Sequence, residues 1–335
     1  MGWVISMSEE VDISLIIPVY NVEKYLERTL KSVENQTFKN FEVVIVNDGS
    51  TDRSMEIIEK FMNRNSNFVL VDQENAGVGA ARNAGIKISR GMYIAFLDSD
   101  DFLEPEYLEK LYFTAIKTGS DIVCCNFYFY YESTRLKICC PINSIPGVYS
   151  GEKALKKITS CIGTFSFLWN KLFKRSLFTN HKIEFYNMYF EDSAASPELF
   201  FYANTVTFIP NVLYNYVMRE TSILHTMNAK KINDFMKSLG IMRNFYEKKG
   251  IYKKYRRRMK GYAGRLNFIM SYDIFMMHLK ASNFRGLINN IRAMRKSIKH
   301  FMSDNYKGSS NKPSDPIFPV KDPEKEEKGE NKKPK

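Results

Sequence analysis

Apolar and polar positions repeat along the first hundred residues as one unit: a β-branched run, a polar loop, then apolar residues at helical spacing. Residues 13–18 form such a run, closed by Pro18-Val19-Tyr20-Asn21. Behind it Val22, Leu26, Leu30 and Val33 recur every three or four residues, which predicts a helix over Glu23–Glu34. The second unit is a strand at 41–46, the loop 47–52 and a helix at 53–62; the third is a strand at 68–72, the loop 73–79 and a helix at 80–89. Strands alternating with helices of this length predict an α/β fold with a mostly parallel sheet and right-handed crossovers. Asn21, Asp48, Asn75 and Asp98 then all sit at carboxyl ends of strands, facing one crevice, where open α/β sheets place their ligands.

The fourth strand, 93–97, runs directly into Asp98-Ser99-Asp100-Asp101, three carboxylates in four positions. Such like charges repel unless a cation or an ion-pair network relieves them. Carboxylate oxygens suit Mg²⁺ or Mn²⁺, and Mg²⁺ commonly binds through one or two carboxylates plus substrate phosphates. The competing reading is a helix N-cap, with Asp100 or Asp101 opening a helix over 104–117 and Pro105 in its first turn. This window leaves both open.

Taken together, SLIIPVYN, VVIVNDGSTD, NAGVGAARNAG and FLDSDD, in this order, resemble the amino-terminal half of family 2 glycosyltransferases. The likeness is close over residues 11–110 and looser to about 223. It implies a GT-A fold, a mostly parallel Rossmann-like sheet flanked by helices, and an inverting transfer of sugar from a nucleotide diphosphate donor. On that resemblance Pro18 and Tyr20 form the base pocket, with Glu23 a weaker polar contact beside Asn21. Asp48 matches the aspartate that accepts from uracil, favouring a UDP-sugar; without a ligand it would close its own Asp-Gly-Ser-Thr-Asp loop as an Asx-turn. Asn75 and Gly77 belong to a loop that lets backbone approach the donor, and Arg82 matches a basic position near the diphosphate. Asp100 is expected to ligate Mn²⁺ or Mg²⁺ directly. Asp98, with Ser99 between them, contacts ribose or holds the metal through water.

The second half carries the remaining motifs. Trp169-Asn170-Lys171-Leu172 resembles a family segment, and Tyr189-Phe190-Glu191-Asp192-Ser193 resembles its Glu-Asp element. An inverting displacement needs one base for the acceptor hydroxyl; Asp192 is the candidate, with Glu191 orienting the donor or acceptor. Dipole complementation at a helix start is the simpler role for both. Tyr214 to Ile223 matches a loop ending Arg-x-x-Ser, so Arg219 and Ser222 are expected at the diphosphate. His225 lies two residues beyond it and is a further candidate ligand, although a lone histidine is more often neither metal nor phosphate ligand.

Composition bounds the organisation. The chain of 335 residues divides into an extension at 1–11, a catalytic domain at 12–228, a basic helical region at 229–307 and a tail at 308–335 expected to be disordered. Net charge is −5 over 1–228, +16 over 229–307 and +1 in the tail. Basic helices interleaved with Tyr, Met, Phe and Leu point to contact with an anionic membrane, and a solvated bundle or a homo-oligomer interface is the alternative. Nucleic acid is not the expected partner; a glycan or lipid-linked acceptor is. Five cysteines lie in two adjacent pairs, Cys124-Cys125 and Cys139-Cys140, plus Cys161, without zinc spacing. The pairs fall on two apolar segments that look like a hairpin. No leader or apolar span is apparent, so the expected place is the cytoplasmic side, at the inner face of the cell membrane.

Overall fold

A computed structural model describes residues 11–140, 145–160, 166–218 and 229–264, with isolated positions 292, 299 and 303. Four parallel strands, β1 (Ile13–Val19), β2 (Phe41–Asp48), β3 (Phe68–Gln73) and β4 (Tyr93–Phe96), form one half of a sheet in the order β3-β2-β1-β4. Helices α1 (Glu23–Glu34), α2 (Ser54–Met62) and α3 (Val78–Ile88) make the crossovers. The repeating unit of the sequence is thus the βα unit of the fold.

The half beyond β4 is mixed. Strand β9 (Lys171–Lys174) runs antiparallel between β4 and β6 (Ile122–Tyr131), and β10 (Thr205–Met218) lies parallel to β6. Strands β5 (Phe102–Leu103) and β8 (Gly147–Ser150) pair with β10, while β7 (Leu136–Cys140) forms the expected hairpin with β6.

Period-two alternation sends neighbouring strand residues to opposite faces. Leu15, Ile17, Val43 and Ile45 pack with α1, α2 and α4 (Tyr107–Thr118). Ile16, Val44 and Val46 pack on the other face with α3, α5 (Gly151–Ser160), α6 (Ser176–His181), α7 (Glu191–Tyr202) and α8 (Ala229–Lys248). Cys124 and Cys125 are fully buried on opposite faces, each a small hydrophobe in its core, whereas Cys139 is exposed. Cys161 lies outside the described residues.

The cap reading of the carboxylate cluster is overturned. Phe102 and Leu103 pair with Asn215 and Tyr214, so α4 starts only at Tyr107, behind Glu106 and without a side-chain cap. Asp101 instead turns inward. Its carboxylate accepts from the Tyr214 hydroxyl at 2.7 Å and from Val217 N–H at 2.8 Å, and its carbonyl accepts from Thr29 at 2.6 Å. It fastens β10 to the end of β4, a long-range role that no local pattern announces.

The basic region also differs from a free amphipathic surface. Phe235, Leu239, Met242, Phe245 and Tyr246 of α8, with Tyr255, Met259 and Tyr262 of the helical stretch 252–264, belong to the same core as the sheet. Tyr246 and Thr159 share a hydroxyl hydrogen bond of 2.6 Å, and the Phe201 and Phe245 rings meet edge-on at 5.3 Å. The exposed face of 252–264 carries Lys253, Lys254, Arg256, Arg257, Arg258 and Lys260. Its apolar stripe faces the protein, so only charge is offered outward there.

Candidate active site

At the carboxyl edge of the parallel strands the chain surrounds a crevice of about 640 Å³. Pro18, Tyr20, Asp48, Asn75 and Gly77 line one end, and Asp98, Ser99 and Asp100 the middle. Glu191 and Asp192, at the start of α7, line it as well. Residues as far apart in sequence as Pro18 and Lys230 are thereby brought to one cavity, most of them at or just beyond the end of a strand or the start of a helix.

Asp48 is buried but does not close its own loop. One carboxylate oxygen accepts from the Gln73 amide at 2.7 Å and Ala76 N–H at 2.9 Å, the other from Gly77 N–H at 2.9 Å. The turn after β2 is held by neighbours: Asn47 accepts from Ser50 N–H at 3.3 Å and Asp52 from Ser54 N–H at 3.0 Å. Asp48 therefore positions the loop that carries Asn75 and Gly77. Gly77 has φ +90°, and a Cβ there would collide with the Asn187 side chain. Glycine lets this loop take its turn and lets the 185–190 segment lie against it.

Two sequence candidates fall elsewhere. Glu23 accepts from Arg53 N–H at 3.0 Å and from its guanidinium at 3.3 Å, while Asn21, at φ 51°, accepts from Thr51 N–H at 2.8 Å. Both tie the β1–α1 turn to the start of α2, and neither lines the crevice. Local proximity to Tyr20 could not reveal that they point sideways. Arg219, Ser222 and His225 lie outside the described residues.

Arg82 occupies the centre of the site. Its buried guanidinium ion-pairs with Glu191 and donates to Asp98 at 2.9 Å. It lines the crevice beside Asp98 and Asp100, and it joins the Asp98 and Glu191 carboxylates, two partners that the sequence did not assign to it. Burial raises the proton affinity of Glu191 and Asp192, with Arg82 opposing the effect on both. Asp192 accepts from Ser193 N–H at 2.6 Å and from the Ser166 hydroxyl at 3.4 Å. A carboxylate so placed, on a cavity wall with raised proton affinity, is equipped to take a proton at neutral pH.

Carboxylate oxygen is the donor chemistry that the middle of the crevice offers a cation. Asp98 keeps 29% of its side chain exposed while bonded to Arg82, and Asp100 is half-buried. Among the described residues no cluster of three or more His, Cys, Asp or Glu is placed to hold a metal alone. The residues fit a hard cation that takes its remaining oxygens from diphosphate and water.

Aromatic walls were the part of the site that motifs did not assign. Trp169 stacks on Tyr214 at 4.4 Å and on Phe167 at 4.8 Å, and it lines the crevice. The turn presenting it is held by Lys171, whose buried ammonium donates to Phe167 carbonyl and to Asn170 Oδ1. Burial lowers the proton affinity of that lysine. Tyr189 and Lys230 complete the wall beside Asp192. Tyr189 sits in the Glu-Asp segment, but Lys230 carries no motif signal.

Known proteins agree with this construction. Residues 14–177 match Glycosyl transferase family 2. EpsH of Bacillus subtilis (strain 168) is 32% identical over 287 residues, covering 84% of this chain and 81% of that protein. The cholesterol galactosyltransferase of Borreliella burgdorferi is 32% identical over 261 residues, covering 72% of each chain. The crystal structure of S. aureus TarS 1-349 in complex with UDP-GlcNAc superposes with a TM-score of 0.61 at 20% identity, covering 87% of this chain and 90% of that one. The fold is accordingly GT-A, a Rossmann-like sheet flanked by helices, and the chain is a glycosyltransferase. The chain belongs to glycosyl transferase family 2.

Proposed function

We propose that the enzyme transfers a sugar from a UDP-sugar to a hydroxyl of a glycan or lipid-linked acceptor in cell-surface polysaccharide synthesis, with inversion and with a divalent cation. The observation that carries this reading is the gathering of Asp98, Asp100, Glu191 and Asp192 on one crevice, with Arg82 joining Asp98 to Glu191. TarS, of the same fold, binds UDP-GlcNAc and UDP, which favours uridine here.

Tyr20, 49% exposed at the lip, gives the nucleobase an apolar face, and Pro18 shapes the floor. Asp48 holds the Asn75–Gly77 turn so that backbone can approach the donor. Asp100, with Asp98, would hold Mn²⁺ or Mg²⁺, which when bound neutralises charge on the departing diphosphate. Asp192 removes the acceptor proton as the hydroxyl attacks the anomeric carbon from the face opposite the leaving group. No covalent enzyme intermediate is needed, and an α-linked donor gives a β-linked product. Glu191, fixed by Arg82, orients the reacting sugars. Aromatic walls around Trp169 exclude water from the reacting centre. The exposed bases of 252–264 support peripheral contact with an anionic membrane, through charge rather than insertion.

UDP release from UDP-Glc, UDP-Gal, UDP-GlcNAc and UDP-GalNAc, with and without Mn²⁺, tests this directly. The expected result is metal-dependent release that Asp100→Ala abolishes while thermal unfolding stays unchanged. Pyrophosphate as product, or full turnover in EDTA, overturns the reading.

A further inference from the structure

Six acidic residues line the crevice against two cations among the described residues, Arg82 and Lys230. Arg82 is held by Glu191 and Asp98. Lys230, near the start of α8, is exposed and extends over the ring of Tyr189 at 5.4 Å. The acid nearest it along α8, Asp234, is engaged otherwise: it accepts from Tyr189 N–H at 3.2 Å and lies 3.7 Å from Lys237. Lys231, at the same distance from the ring, is buried, so of the two lysines Lys230 is the one that meets the cavity.

The position of this cation decides what it meets. Tyr189 is three residues before Asp192, and Lys230, over the tyrosine ring, lines the same crevice as both. In an in-line displacement the acceptor enters from the side of the base, and the diphosphate departs toward the opposite wall. A neutral hydroxyl compound has no need of a lysine there. An anionic one, entering a crevice this acidic, is repelled unless a cation receives it. We infer that Lys230 and Tyr189 form an acceptor subsite selective for a hydroxyl compound that carries a phosphate. This rests on the donor reading above and adds the chemical class of the acceptor.

The test uses the full chain and its tryptophan fluorescence, which comes from Trp3 and from Trp169, the latter lining the same crevice. Wild-type protein is first titrated with UDP and Mn²⁺, then, at saturation, with N-acetylglucosamine 1-phosphate or with N-acetylglucosamine. The expected result is a preference for the phosphorylated probe of about tenfold, the size of one partly exposed charge contact. Lys230→Ala should erase that preference at unchanged UDP affinity, and Lys230→Arg should keep it. Equal binding of the two probes by wild type, or a preference surviving in Lys230→Ala, overturns the inference. A fall in UDP affinity in Lys230→Ala assigns the lysine to the donor's phosphates and also overturns it. Failure of wild type to bind UDP in the first titration is the separate failure of the donor reading.

Discussion

The two walls of the crevice are built by different means. The wall behind β1 to β4 is local: each site residue follows its strand within a few positions, and backbone turns shaped by Gly49 and Gly77 set the geometry. The wall of Glu191, Asp192, Trp169 and Lys230 is assembled from segments with no common strand, held by side chains: Arg82 to Glu191, Lys171 to Asn170, the Phe245 ring to Phe201. One wall is a product of topology, the other of packing. A packed wall depends on individual side-chain contacts, whereas the local one depends on backbone turns such as that at Gly77.

The largest effect that sharpens this contrast is expected at Asp192. Asp192→Asn keeps shape but cannot accept a proton at neutral pH, so transfer should fall by roughly 10² to 10⁴ while UDP affinity persists, measured by turnover beside a binding titration. Because burial raises the proton affinity of Asp192, activity in the wild type should be lost on acidification at a pH above the usual aspartate range near about 4. Loss only below that range breaks the assignment. Next comes Arg82→Met, which leaves Glu191 buried without its partner and should destabilise by about 3–5 kcal/mol in denaturant unfolding. A stability change under about 1 kcal/mol would mean that the bridge is not desolvated.

Phe245→Ala separates the walls in another way. Removing a buried ring should cost about 3–5 kcal/mol if α8 is part of the catalytic core, with UDP affinity of the remaining folded protein intact. A loss near zero would make α8 an independent appendage. The smallest expected effect is Glu23→Gln. Its partner Arg53 is 74% exposed, so stability should change by less than about 1 kcal/mol and UDP affinity not at all. A marked loss of UDP affinity would return Glu23 to the base pocket.

The same contrast explains what could be read without a structure. Helix Glu23–Glu34 and the first four strands followed from periodicity because their apolar residues obey one local rule. Asp48, Asn75, Asp98 and Asp100 converge because parallel topology aligns strand ends. The start of α4 did not follow: the β5–β10 pairing is set by residues more than a hundred positions away. Arg82 was found as a basic position, but its two carboxylate partners lie 16 and 109 residues distant, and only packing unites them. Glu23 and Asn21 were adjacent to the right loop and pointed the wrong way, since a turn fixes neighbours' positions without fixing their directions. Lys230 left no trace, because a lysine early in a basic helix looks like any solvated one.

The close approach at the start of α3 has a mechanical consequence. Any side chain at Gly77 would strike Asn187, one at Gly79 would strike the Tyr186 carbonyl, and Asn83 bonds both the carbonyl and the N–H of Phe185 at 2.8 Å. The two walls are riveted together along this line. Tyr189 lies between this line and Glu191, which Arg82 fixes, so the segment that carries it is pinned at both ends, like a plank nailed twice.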